Sequence, residues 1–261
     1  MLAFQSQDAI VSAVNGANLA EVQKTMIDAA IKAGVKRFIP AEFGSSLDNP
    51  KMIKMVPLFA AKKEVSDYLE TKEKDGLTWT GVINGPFFDW VRRSPNDLDR
   101  WSGTALIEQL VQGLEVGFLG YDLKNHKAII YNGGAQRHCV TNLPTVGKAV
   151  AAVLSQPEKT ANKYIHIASF QTTQKEVLAL LEKATATKWE ISKTTSEESH
   201  NIGMEKLERG DVMGSLVPLI CSVVYDDELG IYEDLDNEML GLPKEDLDTT
   251  VKALTVGKSI S

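Results

Sequence analysis

Two rhythms of apolar and polar positions alternate along the first third of this chain. A short apolar run from Ala9 to Val14 is followed by Val22, Met26, Ala29, Ala30 and Ala33 at helical spacing, and then by a second apolar run from Val35 to Ile39. An amphipathic helix between two short apolar runs predicts one βαβ unit. Asn18 stands three residues before Glu21, the spacing of a capping box, and Gly34 follows the last periodic residue, where a left-handed conformation closes a helix. Past an irregular stretch from Pro40 to Pro57, the pattern predicts a helix from about Leu58 to Lys74, stopped at Asp75-Gly76, and a strand from Leu77 to Ile83. Such alternation implies an α/β fold with a parallel sheet, in which ligands bind outside the carboxyl ends of the strands. The loops after Val14, Ile39 and Ile83 are where chemistry is expected.

Downstream, Ser102 to Leu114 reads as a helix and Lys127 to Tyr131 alternates as a strand. Residues 143–157 read as a helix that starts at a proline and stops before Pro157, and residues 163–169 as a strand. Thr173 and Glu176 form a second capping-box pair ahead of a helix from Gln174 to Thr185, and residues 188–192 follow as a strand. The remainder reads as helical with acidic loops.

Composition narrows the function classes. A net charge of −7 over 261 residues, with no basic cluster, leaves no electrostatic footprint for nucleic acid. The apolar runs fall far short of the roughly 18 to 20 residues of a membrane span, and residues 1–7 lack the features of a secretory signal, so a cytoplasmic protein is expected. Cys139 and Cys221 have no metal-ligand spacing and read as reduced, buried thiols. His138 beside Cys139 suggests a nucleophile pair, but adjacent strand residues point to opposite faces. The other histidines, His126, His166 and His200, are scattered, and no metal site is expected.

Lys62 is the most informative residue. On a helical projection that starts at Leu58, it falls about 40° round, at the edge of the apolar stripe, whereas Lys63 falls at about 140° and should face water. A lysine tucked against apolar surface either packs through its stem or serves as an acid or base, because burial favours its neutral form. Trp79, Phe87, Phe88, Trp90 and Trp101 suggest an aromatic wall for a planar substrate or, equally, a core cluster.

The segments GVKRFIPAEFG, AAKKEVSDYL, LTWTGVINGPFFDW and TTQKEVLALLEKATATKW resemble the NmrA-like, isoflavone-reductase-type branch of the atypical short-chain dehydrogenase/reductases, particularly its fungal members. The run from Arg37 to Gly44 carries the resemblance most specifically. By that resemblance, Lys62 matches the lysine that approaches the nicotinamide ribose as acid or base, while Lys63 has no such role. Ser12, Ala13 and Val14 match the strand end that borders the cofactor, and Gly85, Pro86 and Phe87 match the segment along the nicotinamide. Ala41 stands where plant relatives often have Ser.

The family implies an NADPH (or NADH) cofactor and a Rossmann-like domain, here residues 1–150, with residues 151–261 supplying substrate-region elements interleaved with it. Members open with a strand, a Gly-rich turn and a helix, and about 60 to 80 residues of that kind precede the position matched by Asp8. The fold expected is therefore an N-terminally truncated Rossmann-like parallel sheet with a smaller α+β C-terminal region. Two consequences are expected: cofactor binding that is weak or lost in this chain, and an apolar sheet edge at Ala9 to Val14 through which a homo-oligomer could form. The resemblance implies an oxidoreductase acting on an aromatic or polyketide-like small molecule, in secondary metabolism. The alternative is a non-catalytic, dinucleotide-responsive regulator or an inactive remnant.

Overall fold

The structure, a computed structural model, describes residues 2–16, 18–89 and 118–255. In chain order the strands and α-helices are β1 (Ala9–Val11), α1 (Leu19–Ala33), β2 (Arg37–Ile39), α2 (Pro50–Met55), α3 (Ala60–Lys72), β3 (Thr78–Ile83), β4 (Tyr121–Asp122), β5 (Lys127–Tyr131) and β6 (Arg137–Val140). Then come α4 (Leu143–Ser155), α5 (Pro157–Thr160), β7 (Lys163–His166), β8 (Phe170–Thr173), α6 (Gln174–Thr185), β9 (Glu190–Thr194), α7 (Ser196–Glu208), α8 (Val212–Val224) and α9 (Leu247–Thr255). The expected helix over Ser102 to Leu114, together with Trp90 and Trp101, lies outside the described residues.

The chain forms two compact units, each assembled from separated stretches. The first comprises residues 1–85, 145–167 and 233–243, and the second comprises residues 86–144, 168–232 and 244–261. In the first unit, β1, β2, β3 and β7 form a four-stranded parallel sheet in the order β1-β2-β3-β7. Its core places Ile27 and Ala30 of α1 and Val65 and Leu69 of α3 with Phe38, Leu77 and Trp79. These helix positions lie three or four residues apart, so each helix buries one face.

In the second unit, β5 pairs with β4 and β9, and β6 pairs antiparallel with β8. Its core joins Phe88, Leu119, Tyr131, Phe170, Val177, Leu181, Cys221 and Tyr225. The fold class is thus the expected α/β one, with a Rossmann-like parallel sheet.

Several boundaries differ from the sequence reading for identifiable reasons. The first strand ends at Val11 rather than Val14, although Ser12 N–H still donates to Ile39 at 2.8 Å before the chain leaves the ladder. The second strand opens at Arg37 because Val35 N–H is used by the carbonyl of Ala30, closing α1 behind a left-handed Gly34. Asn18 makes no side-chain cap bond, since its backbone (φ −105°, ψ 30°) lacks the extended conformation that aims a capping oxygen. The third helix is α-helical only over Ala60–Lys72, with a 3₁₀ turn at each end. The irregular stretch holds α2, whose Asn49-Pro50 start is a capping residue followed by proline at the first helical position. The strand placement expected for His138 and Cys139 is β6, whereas the short strands β4 and β8 were not anticipated.

Candidate functional site

The loop that follows β2 is built from both directions. Buried Gln23 of α1 accepts from Ala41 N–H at 2.8 Å, which fixes the chain as it leaves the sheet. Gly44 then bridges to Ile83 at the carboxyl end of β3, its carbonyl accepting from Asn84 N–H at 3.1 Å and Gly85 N–H at 3.0 Å. Between them Phe43 adopts φ +25°. Arg37, at the start of the same motif, is buried: Nε donates to Thr78 Oγ1 at 2.8 Å, Nη1 to Thr80 Oγ1 at 2.7 Å and Thr160 Oγ1 at 3.0 Å, and Nη2 to the Pro157 carbonyl. Arg37 therefore clamps β2 to β3 and α5, at the amino end of the sheet and away from the loop.

Lys62 reaches this loop from the first turn of α3. Its amine donates to the backbone carbonyl of Glu42, and it would lie 3.8 Å from a Cβ placed on Gly44. The side chain is partly buried, and burial draws the ammonium below the usual lysine range against the opposing pull of Glu42. Lys63 pairs instead with Asp67 one turn along the same helix. It does not face water freely, as the projection suggested, for its side chain is only 34% exposed. As whole residues both lysines are half-buried, and their amines differ in partner: a main-chain carbonyl for Lys62 and a carboxylate for Lys63.

Ser12, just past the end of β1, is 1% exposed, and its hydroxyl has no hydrogen-bond partner among the described residues. A buried hydroxyl without a partner costs free energy unless a ligand or water completes it. Ala13 is exposed and Val14 half-buried, beyond the strand. Gly85 is buried with φ +61°, ending the first unit. Pro86 and Phe87 open the second unit, where the Pro86 carbonyl accepts from Thr141 N–H at 3.0 Å and Phe87 bridges to Thr141.

Among the described aromatics, Trp79 and Phe88 follow the alternative reading and lie in cores. Trp79 sits at the amino end of β3, stacked edge-on against Tyr164 in the first core, four residues or about 13 Å of strand from Ile83. Phe88 instead packs edge-on with Phe170 in the second core. His138 and Cys139 are both buried, and each meets the backbone: His138 Nδ1 lies 3.4 Å from the Gln136 carbonyl, and Cys139 Sγ accepts from Tyr232 N–H. Burial lowers His138 to about 4, so it is a neutral core residue.

Sequence reasoning missed three participants. Glu42 is 2% exposed and accepts from Ser66 Oγ at 2.9 Å, Gln23 holds the turn, and His166 ends β7 with Nε2 at 3.1 Å from Ser46 Oγ and 3.7 Å from Asp48. Glu42 carries no local sequence signal, because its partners Lys62 and Ser66 lie about twenty positions further along the chain.

A Rossmann-like parallel sheet with Lys62 of α3 held against the loop that follows β2 presents a candidate acid–base residue at the carboxyl end of its strands. The model of the NmrA-like family matches residues 2–89. The oxidoreductase aprR of Aspergillus flavus is 36% identical over 98% of this chain and 79% of its own length. The oxidoreductase poxI of Penicillium oxalicum is 26% identical over 95% of this chain and 74% of its own length. A crystal structure of isoflavone reductase superposes with a TM-score of 0.68 at 19% identity, covering 96% of this chain and 76% of the other. The chain belongs to the NmrA-like family, and it shares its fold with isoflavone reductase.

Proposed function

We propose that this protein is an NAD(P)H-dependent reductase acting on an aromatic or polyketide-like small molecule in secondary metabolism, with Lys62 as its acid. The observation that carries the reading is the placement of Lys62. A cation drawn toward its neutral form by burial sits beside the loops at the carboxyl ends of β2 and β3, where this class of sheet takes its ligands. Its relatives aprR and poxI bear the name oxidoreductase, and a leucoanthocyanidin reductase from Vitis vinifera, described as a binary complex with NADPH, shares the fold at a TM-score of 0.67.

The residues of the first unit fit such a cofactor. Ser12 offers a hydroxyl unpartnered among the described residues just past the end of β1, Ala13 and Val14 continue that edge, and Gly85 brings bare backbone to the end of β3. Pro86 and Phe87 follow Gly85 in sequence and complete the proposed set. The dinucleotide, when bound, supplies the hydride. Lys62 orients the substrate oxygen through its ammonium and gives it a proton as negative charge develops there.

Titration of the 261-residue chain with NADPH, read by energy transfer from tryptophan, should saturate, and aromatic enones and ketones should then accelerate NADPH oxidation. Lys62→Ala should keep cofactor binding and lose turnover by at least about a hundredfold, while Lys63→Ala should leave both nearly unchanged. Equal losses in the two variants would remove Lys62 from its role. Binding without turnover of any aromatic carbonyl would favour a dinucleotide-responsive regulator.

A further inference from the structure

Lys62 and Ser66 stand one turn apart on α3 and reach the same residue. Lys62 donates to the main-chain carbonyl of Glu42, and Ser66 Oγ donates to its Oε1 at 2.9 Å. This two-point hold places a carboxyl group, only 2% exposed, against a helix whose first turn carries no acidic residue. Such a group is costly to bury unless an opposite charge or several donors attend it.

Ser66 satisfies one oxygen. The other, Oε2, is buried with no hydrogen-bond partner among the described residues, and the buried hydroxyl of Tyr164 on β7 approaches Ser66 as well. The two residues meet over Gly81 of β3, where a Cβ would come within 3.6 Å of Glu42 Cγ and 2.4 Å of the Tyr164 ring. The sheet surface is left bare there, and the carboxyl and phenol occupy the space.

We propose that Glu42 is the positioning residue for Lys62: its carbonyl anchors the amine and its buried carboxylate is the counter-charge that keeps the ammonium protonated until a substrate draws the proton. This rests on the reading of Lys62 as the acid of the reductase.

The groups that face the pair are few. Lys62, Asp48 and Lys63 act on Glu42, while Glu42, Asp48 and Glu70 act on Tyr164. Burial leaves the Glu42 carboxyl above the usual carboxylate range, although Lys62 and Ser66 pull it back toward the charged form. Burial lowers the Lys62 ammonium, and Glu42 holds it up. Each is thus the main electrostatic support of the other. The arrangement explains why a glutamate sits inside a turn that the Gln23 side chain and the Gly44 carbonyl already fix.

The test follows the pH dependence of acetylation of Lys62 by trace acetic anhydride, read by mass spectrometry, with Lys63 as internal reference. In Glu42→Gln the midpoint of Lys62 should fall by about one pH unit or more, with that of Lys63 unmoved. An unchanged Lys62 midpoint in a folded Glu42→Gln chain overturns the proposal.

If Glu42→Gln does not fold, the reciprocal measurement decides. With side-chain carboxyls labelled with carbon-13, the Glu42 resonance should titrate about one unit higher in Lys62→Met than in the parent chain. An unmoved Glu42 midpoint overturns the proposal equally. Neither readout uses cofactor, so the two readings fail separately. A shifted midpoint in a chain that does not bind NADPH supports the coupling and defeats the reductase. Turnover lost in Lys62→Ala with no shift in Glu42→Gln supports the reductase and defeats the role of Glu42.

Discussion

His138 shows what burial does to a residue whose sequence neighbourhood suggests chemistry. It is 1% exposed and packs edge-on against Tyr225 at 5.0 Å, and desolvation holds its imidazole near 4. The unfolded chain takes up the proton near pH 6.5, so between about 6.5 and 4 the unfolded state binds more protons than the folded one. Stability is therefore full above pH 6.5 and falls as the pH drops toward 4, by about 3 kcal/mol in all. Urea melts at stepped pH should show this slope, and His138→Phe should flatten it. At this scale the sequence was legible for Lys62, whose place on an amphipathic helix sets its depth. It was illegible for Glu42, because nothing local says that a turn residue will be roofed by a helix about twenty positions later.

Capping separates two motifs that look alike in sequence. Thr173 accepts from Glu176 N–H at 3.2 Å while Glu176 Oε2 accepts from Thr173 N–H at 3.0 Å, so the box at the start of α6 is closed. Asn18 makes no such bond at the start of α1, where Gly16 and Asn18 carbonyls take up N–H groups of Leu19 and Val22 instead. Thr173→Ala should cost about 1 kcal/mol, and Asn18→Ala only a few tenths, in chemical denaturation at neutral pH. Equal costs would mean that the Asn18 side chain caps in solution. The helices were legible because their apolar periodicity and stop signals are local, as at Gly34 and at α6, whose bounds match the sequence reading. The short strands β4 and β8 were not, because so short a strand exists only through its partner.

For the whole molecule, the most consequential feature of the first sheet is its edge. Among the described residues β1 has a neighbour on one side only, and Val11 is 43% exposed on it. A short apolar edge with free backbone groups is a template for a second copy of the same strand. Sedimentation at micromolar concentration should show a self-association that Val11→Lys weakens at least tenfold. A monomer at every concentration, unchanged by Val11→Lys, would show that this edge stays unpaired.

The sequence by itself determined the α/β class, the helices with an amphipathic stripe, the family and the lysine worth testing. These depend on spacing over a few residues or on a motif that is contiguous in the chain. Tertiary structure alone decided where the chain crosses from one unit to the other, that Trp79 and Phe88 serve different cores, and that Lys62 and Ser66 close over Glu42. Each of these joins residues far apart in sequence, and the physical reason is the same in all three. The depth at which a side chain ends, and so its charge and its partner, is set by what folds over it.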